Sequence, residues 1–250
     1  IRRPPRSTLM RSSAASDVYK RQDIYFPEYD WVFKNAKYIN FKNGQIKCPY
    51  ESRIYGMGYI GEGKFKVSEN GKHTRVYDTW HSMLQRCYDE KRRDKNPTYI
   101  NCEVCDEWHN FQNFAKWYEE NYYEVEGERI HLDKDILCKG NKIYSPDNCI
   151  FVPERINTLF TKRQNDRGES CIGTSLTKNG RYLVECNMIY PKTGKSKSEY
   201  LGYYDSQEKA FEVYKYYKEK NIKMVADYYF GKIPQILYDA LYNYEVEITD

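Results

Sequence analysis

Long apolar runs are missing from this 250-residue sequence. None approaches the roughly 18 residues that a membrane-spanning helix needs, so the expectation is a soluble chain with no membrane partner. No signal peptide is visible, which points to a reducing cytoplasm. There the eight cysteines (Cys48, Cys87, Cys102, Cys105, Cys138, Cys149, Cys171 and Cys186) stay unpaired, and most pack as small apolar side chains. A phosphate-binding loop is absent: Gly56, Gly58, Gly61 and Gly63 lie close together, but no Gly-Lys-Ser/Thr and no strand-to-helix junction follows. Cys102-x2-Cys105 is half of a zinc pattern, and His109 is a further candidate ligand. No second Cys-x2-Cys completes it, since Cys138 and Cys149 are not so spaced, and structural Zn2+ is not expected. Strong net charge is missing too, at +4 overall.

What is present is aromatic. Aromatic residues make up 16% of the chain and tyrosine alone occurs 27 times, which argues against disorder and suits surfaces that meet partners. The charge is unevenly placed. Residues 1–22 hold six basic side chains and one acid, so the rest of the chain sums to about −1. Within 161–200, eight basic residues face four acids, which leaves a local basic patch. The opening IRRPPRSTLMRSSAASDVYKRQ closely resembles translated sequencing-adapter readthrough. It shows no strand or helix period and its composition cannot bury a core, so residues 1–22 are expected to be a disordered artefact that leaves the true N-terminus missing.

The remaining pattern predicts an α+β fold in pieces. Residues 23–76 read as a small β-rich segment, with strands at Asp23–Phe26, Trp31–Phe33 and Tyr38–Phe41 and a hairpin turn at Asn43-Gly44. Trp80, Met83, Leu84 and Cys87 form the apolar stripe of a helix over 77–92, capped by Asp78 or Thr79. Trp108, Phe111, Phe114, Ala115 and Tyr118 do the same over 106–121, with Asp106 as cap. A strand at Ile130–Leu137, turns at Gly140-Asn141 and Tyr144–Asn148, a strand at Cys149–Val152 and a helix at Glu154–Phe160 follow. Residues 161–170 read as a linker. Strands at Cys171–Thr177, Tyr182–Met188 and Lys197–Gly202 then precede a helix capped by Ser206, with Ala210, Val213, Tyr214 and Tyr217 on one side. Residues 231–250 read as a further helix at Ile233–Tyr244 and an acidic tail or edge strand.

Two stretches carry chemistry. A metal-dependent nuclease needs oxygen ligands on a divalent ion and a base for water, and a strand–loop–strand–helix hairpin can supply both at one spot. Asp133 lies on the first strand, Asn148 before the second and Asn157 on the helix. By residue type alone the favoured reading is a plain polar hairpin in which Asp133 and Asp135 neighbour Lys134 and Lys139. The motif LDKDI…GNKIYSPDNCIFVP…IN, with WHSML-x-RCY and VCDEW upstream, resembles the HNH-type endonucleases of bacteriophages and mobile elements over residues 77–160. The resemblance implies a ββα domain with flanking helices, DNA phosphodiester hydrolysis with Mg2+ or Mn2+, and a phage-encoded protein in the cytoplasm of a bacterial host. It places Asp133 and Asn157 on the metal and Asn148 at the structural asparagine. The family's general-base histidine is replaced by Lys134. Strand alternation puts His131, Asp133 and Asp135 on one face and Lys134 on the other, so His131 is the candidate substitute base.

Residues 171–218 are the second stretch. Gly173, Gly180, Tyr182, Glu185, Tyr200-Leu201-Gly202 and Asp205-x4-Ala210 resemble the plant ethylene-response-factor, or apetala-two, DNA-binding domain, and a 171–230 domain is read on that basis. The resemblance implies a three-stranded antiparallel sheet lying in the major groove of double-stranded DNA with a helix behind it. The groove-facing residues would be Ser175, Thr177, Asn179, Arg181, Asn187, Ser198 and Tyr200, with Lys178, Lys195 and Lys197 giving nonspecific contacts alongside Arg181. The plant pattern has arginines and tryptophans where this chain is small and polar. Three functions compete: a metal-dependent DNA endonuclease, a non-catalytic DNA-binding protein with a degenerate HNH domain, and a tyrosine-rich protein-interaction module.

Overall fold

The 14-residue helix α2 shows how this chain turns pattern into structure, in a computed structural model that describes residues 8–9, 21–160 and 170–249. Tyr77, Trp80, Met83, Leu84 and Cys87 recur at helical spacing and all are buried. The cap is Thr74, whose Oγ1 accepts the Tyr77 N–H at 3.3 Å, so the helix begins before the expected Asp78 or Thr79. The architecture is mixed α+β, in two compact units that divide at Glu120/Asn121.

In the first unit β1 (Thr8–Leu9), β2 (Arg21–Phe26) and β3 (Trp31–Lys37) form an antiparallel sheet in that order. Parts of the segment set aside as an artefact, Thr8–Leu9 and Arg21–Gln22, thus belong to strands. The rest of residues 1–20 lies outside the described residues. Helix α1 (Tyr38–Lys42) corrects the strand expected at Tyr38–Phe41. One helical turn lets Phe41 pack on Ile24, Phe26, Ala36 and Cys48 while Ile39 stays exposed. Asn43-Gly44 is accordingly the end of a helix and not a hairpin turn. Gly44 sits at φ 67°, its N–H donating to Phe41 O, while the Gln45 N–H donates to Asn40 O.

The short strands β4 (Ser68–Glu69) and β5 (Lys72–His73) lead into α2 (Arg75–Tyr88), α3 (Glu90–Lys95) and β6 (Glu103–Val104). The expected second helix is two, α4 (Asp106–His109) and α5 (Phe111–Asn121), broken at Asn110. The break exists because Tyr59 exchanges backbone hydrogen bonds with this point, accepting from Phe111 N–H and donating to His109 O, both at 2.9 Å. The apolar stripe survives: Trp108, Phe111, Phe114 and Ala115 are buried, and the Trp80 indole N–H donates to Trp108 O at 2.7 Å.

The second unit holds β7 (Ile130–Asp133), β8 (Ile143–Tyr144), β9 (Ile150–Pro153) and α6 (Glu154–Leu159). Strands β7 and β9 pair antiparallel, Asp133 opposite Ile150 and His131 opposite Val152. After residues 161–169, where the expected linker lies outside the described residues, come β10 (Thr174–Leu176), β11 (Tyr182–Tyr190) and β12 (Lys195–Tyr204), an antiparallel sheet in that order. Helix α7 (Gln207–Tyr229) is capped by Ser206, whose Oγ accepts the Lys209 N–H at 3.3 Å, and α8 (Gln235–Tyr242) follows. Gly173 lies flat against the Tyr214 ring at φ +74°; a Cβ there would sit 1.9 Å from Tyr214 Cδ2. Tyr217, expected on the buried side of α7, is exposed.

One core serves the hairpin and the sheet together. Ile136, Ile150, Val152, Ile156 and Leu159 cluster with Val184, Cys186, Tyr214, Ile222, Val225 and Tyr229. The acidic C-terminal stretch packs down as well: Val246 is buried, its N–H donating to Glu219, and Lys139 pairs with Glu247 at 3.4 Å.

Candidate functional site

The β7–β9 hairpin is tied together by its own polar side chains. Strand β7 ends at Asp133 because Asp133 Oδ1 accepts the N–H groups of Asp135 and Ile136, both at 2.8 Å, and turns the chain. Strand alternation therefore stops there, and Asp135 does not continue the face of His131 and Asp133. Lys134, 5% exposed, folds under the turn, with its Nζ 2.7 and 2.8 Å from the Asp135 carboxylate and 2.7 Å from Asn141 O. Lys134 is thus a structural cross-link.

Asn141, which the sequence showed only as a turn residue, is the hub. Its Nδ2 donates to Lys134 O at 2.9 Å and Ile143 O at 2.7 Å, while its Oδ1 accepts the Ile143 N–H. Asn148 Nδ2 donates to the same Oδ1 at 3.4 Å, a long and weak bond. The only signal for this hub was the Gly140-Asn141 pair itself.

Burial pushes the Asp133 carboxyl above its ordinary pKa, opposed in part by the two backbone N–H groups it accepts. The Nε2 of His131 is closed to water and has no hydrogen-bond partner. Asn157 lies half-buried on α6, the helix that follows β9. Among the described residues no group of three or more His, Cys, Asp or Glu is placed to hold a metal ion. Asp133 Oδ1 is taken up by the turn, accepting the N–H groups of Asp135 and Ile136.

The sheet behaves differently. Glu185 pairs with Tyr200, Asn187 with Ser198 and Leu183 with Tyr203, while Ser175 pairs with Leu183. Cross-strand partners share a face, so Ser175, Asn187, Ser198 and Tyr200 lie on one side with Glu185 and Tyr203. Val184 and Cys186 point to the other side, into the core. A bulge at Leu201, between the Val184–Gly202 and Glu185–Tyr200 pairs, puts Tyr203 on the open side beside Tyr200, ring centroids 5.8 Å apart.

Thr177, Lys178, Asn179 and Arg181 surround the β10–β11 turn. There Thr177 N–H donates to Arg181 O and Gly180 N–H to Thr177 O. Arg181 leans over the Tyr203 ring and bonds Asp205 at 3.0 Å and Tyr203 O at 3.2 Å. Lys195 and Lys197 pair with Tyr190 and Met188, so by register they lie on the side opposite Asn187. Lys197 is also paired with Glu199 at 3.0 Å. The far half of β11, which β10 does not cover, is closed by buried Asn221 of α7, which exchanges bonds of 2.9 and 2.8 Å with the Ile189 backbone.

Among the described residues no helix is long and apolar enough to cross a membrane. No family model matches the chain, and no curated protein and no solved structure matches it either.

Proposed function

We propose that the chain binds double-stranded DNA through the open face of the β10–β11–β12 sheet. The observation that carries this reading is the face itself: Ser175, Asn187, Ser198, Tyr200 and Tyr203 are aligned by register, with Lys178, Asn179 and Arg181 at its edge. Short polar groups and tyrosines can meet base edges, while the turn cations meet phosphates. Glu185 on the same face disfavours phosphate, so affinity comes from few cations and its salt dependence is shallow. The test is a mobility-shift titration with duplex DNA. Asn187→Ala with Tyr200→Ala weakens binding about tenfold or more; unchanged binding would remove the sheet from the interface.

A second reading adds cleavage at an HNH-like hairpin, and the desolvated Asp133 carboxylate favours it. Asp133 and Asn157 would hold Mg2+ or Mn2+, whose charge would stabilise the leaving 3′ oxygen. His131 is the candidate base, and its sealed Nε2 must open to reach a water before it can accept a proton. Lys134, bound into the turn, holds the hairpin. Plasmid nicking with Mg2+ or Mn2+, lost in Asp133→Ala, supports this reading. No nicking, or equal nicking by Asp133→Ala, leaves DNA binding without catalysis.

A further inference from the structure

A groove of about 970 Å3 runs between α7 and the β11–β12 turn, away from the open sheet face. Tyr216, Lys220, Lys223 and Asp227 recur at helical spacing along one wall, beside the buried stripe of Tyr214, Ile222, Val225 and Tyr229. Tyr190 and Lys192 form the other wall, and Tyr228 closes one end. Tyr216 is 60% exposed and is braced edge-on by Tyr217 at 5.3 Å; Tyr228 is braced in the same way by buried Tyr229 at 5.1 Å.

The two acids lining the groove are already engaged. Glu219 accepts the Val246 N–H and pairs with Lys215, and Asp227 accepts the Tyr238 hydroxyl. Among the described residues the three lysines have no carboxylate within salt-bridge distance: Lys220 and Lys223 lie over the rings of Tyr216 and Tyr242, at 6.0 and 5.2 Å. The groove therefore presents the exposed Tyr216 ring among three lysines, while Lys232 already lies over the Tyr228 ring at 4.0 Å.

From this we infer that the groove binds a single strand of nucleic acid, a base on Tyr216 and phosphates on Lys192, Lys220 and Lys223. Charge complementarity selects a polyanion, and the ring selects one whose bases are unpaired, because a duplex keeps its base faces stacked and out of reach. The inference goes beyond duplex docking on the sheet and stands on separate residues.

The test is fluorescence anisotropy of the full chain with a labelled mixed-sequence 12-nucleotide single strand, repeated across salt. Lys192→Ala, Lys220→Ala and Lys223→Ala together lower the slope of log affinity against log salt by about two. Tyr216→Ala weakens binding about tenfold and Tyr216→Trp preserves it. Since Tyr216 is largely exposed, neither change at that position threatens the fold. Asn187→Ala with Tyr200→Ala weakens duplex binding and leaves the single-strand affinity unchanged, so failure of the sheet reading and failure of this one are distinguishable. The inference is overturned if wild type fails to bind the strand, or if the groove variants bind it as wild type does. It is equally overturned if poly-glutamate displaces the strand as effectively as unlabelled single strand, since charge alone would then explain binding.

Discussion

The β7–β9 hairpin and the β10–β12 sheet belong to one compact unit, yet they use polar residues in opposite ways. In the hairpin Asp133, Lys134, Asp135 and Asn141 bond one another and the backbone of the turn. In the sheet Ser175, Asn187 and Ser198 are exposed, on a face whose fold is held from the other side by Val184 and Cys186. Polar density in a sequence therefore does not by itself mark a site. A hairpin of two four-residue strands has little apolar area to hold it, so polar cross-links carry its shape, whereas a sheet backed by a 23-residue helix can leave its outer polar groups unspent.

The largest expected effect tests what the two regions share. Ile222 is buried in the core common to both, and Ile222→Ala is expected to cost about 2–5 kcal/mol. Hydrogen exchange in this variant accelerates in β7–β9 and in β11–β12 together. If only the sheet opens, the hairpin has a core of its own and the comparison rests on two separate bodies.

Next is Lys134→Met, which removes the cross-link and keeps the volume. Asn141 O loses its donor and Asp135 turns to solvent, at about 1–3 kcal/mol in urea unfolding. Duplex affinity stays at the wild-type value, because no sheet residue has moved. A loss of duplex binding equal to that of the sheet variants would break the division between a closed hairpin and an open face.

A third prediction uses pH. Burial raises the Tyr123 hydroxyl, which donates to Phe151 O at 2.7 Å under the hairpin. Burial, then the bond to Glu128 at 2.8 Å, raises Tyr229 beneath the sheet. Both keep their protons in the folded chain where the unfolded chain has lost them. Their contribution is fully present below the ordinary tyrosine value of about 10 and falls as pH rises above it, by up to about 1.4 kcal/mol per pH unit for each. Tyr123→Phe and Tyr229→Phe should each flatten the alkaline fall in stability. An unchanged slope would mean that the buried hydroxyl reaches water.

How much of this was legible in the sequence follows from the same contrast. The α2 stripe, the Ser206 cap and the Asn179-Gly180 turn were readable because each is a local rule met by neighbouring residues. Four of the residues expected to face a DNA groove, Ser175, Asn187, Ser198 and Tyr200, do share a face of the sheet, because strand alternation survives up to the bulge. Tyr203 was missed since the bulge moves it there. Asn141 was missed since its role depends on Lys134, Ile143 and Asn148 meeting in space. Tyr38–Phe41 was misread because packing of Phe41, and not its propensity, decides that segment.

The smallest effect is the one that sharpens the open face most. Arg181 shares its charge with Asp205 in an exposed pair, which contributes under about 1 kcal/mol to folding, and Lys178 lies exposed on the same turn. Lys178→Ala with Arg181→Ala should therefore leave the urea midpoint nearly unchanged. If the turn meets duplex phosphate, each residue releases about one counterion, and the slope of log affinity against log salt falls by about two. Arg181 must release Asp205 to do this, so Asp205→Asn should raise duplex affinity, most visibly at low salt where the freed guanidinium is least screened. A salt slope indifferent to all three changes would move the phosphate contacts off this turn, and leave Ser175, Asn187, Ser198 and Tyr200 as a face that meets something other than a DNA backbone.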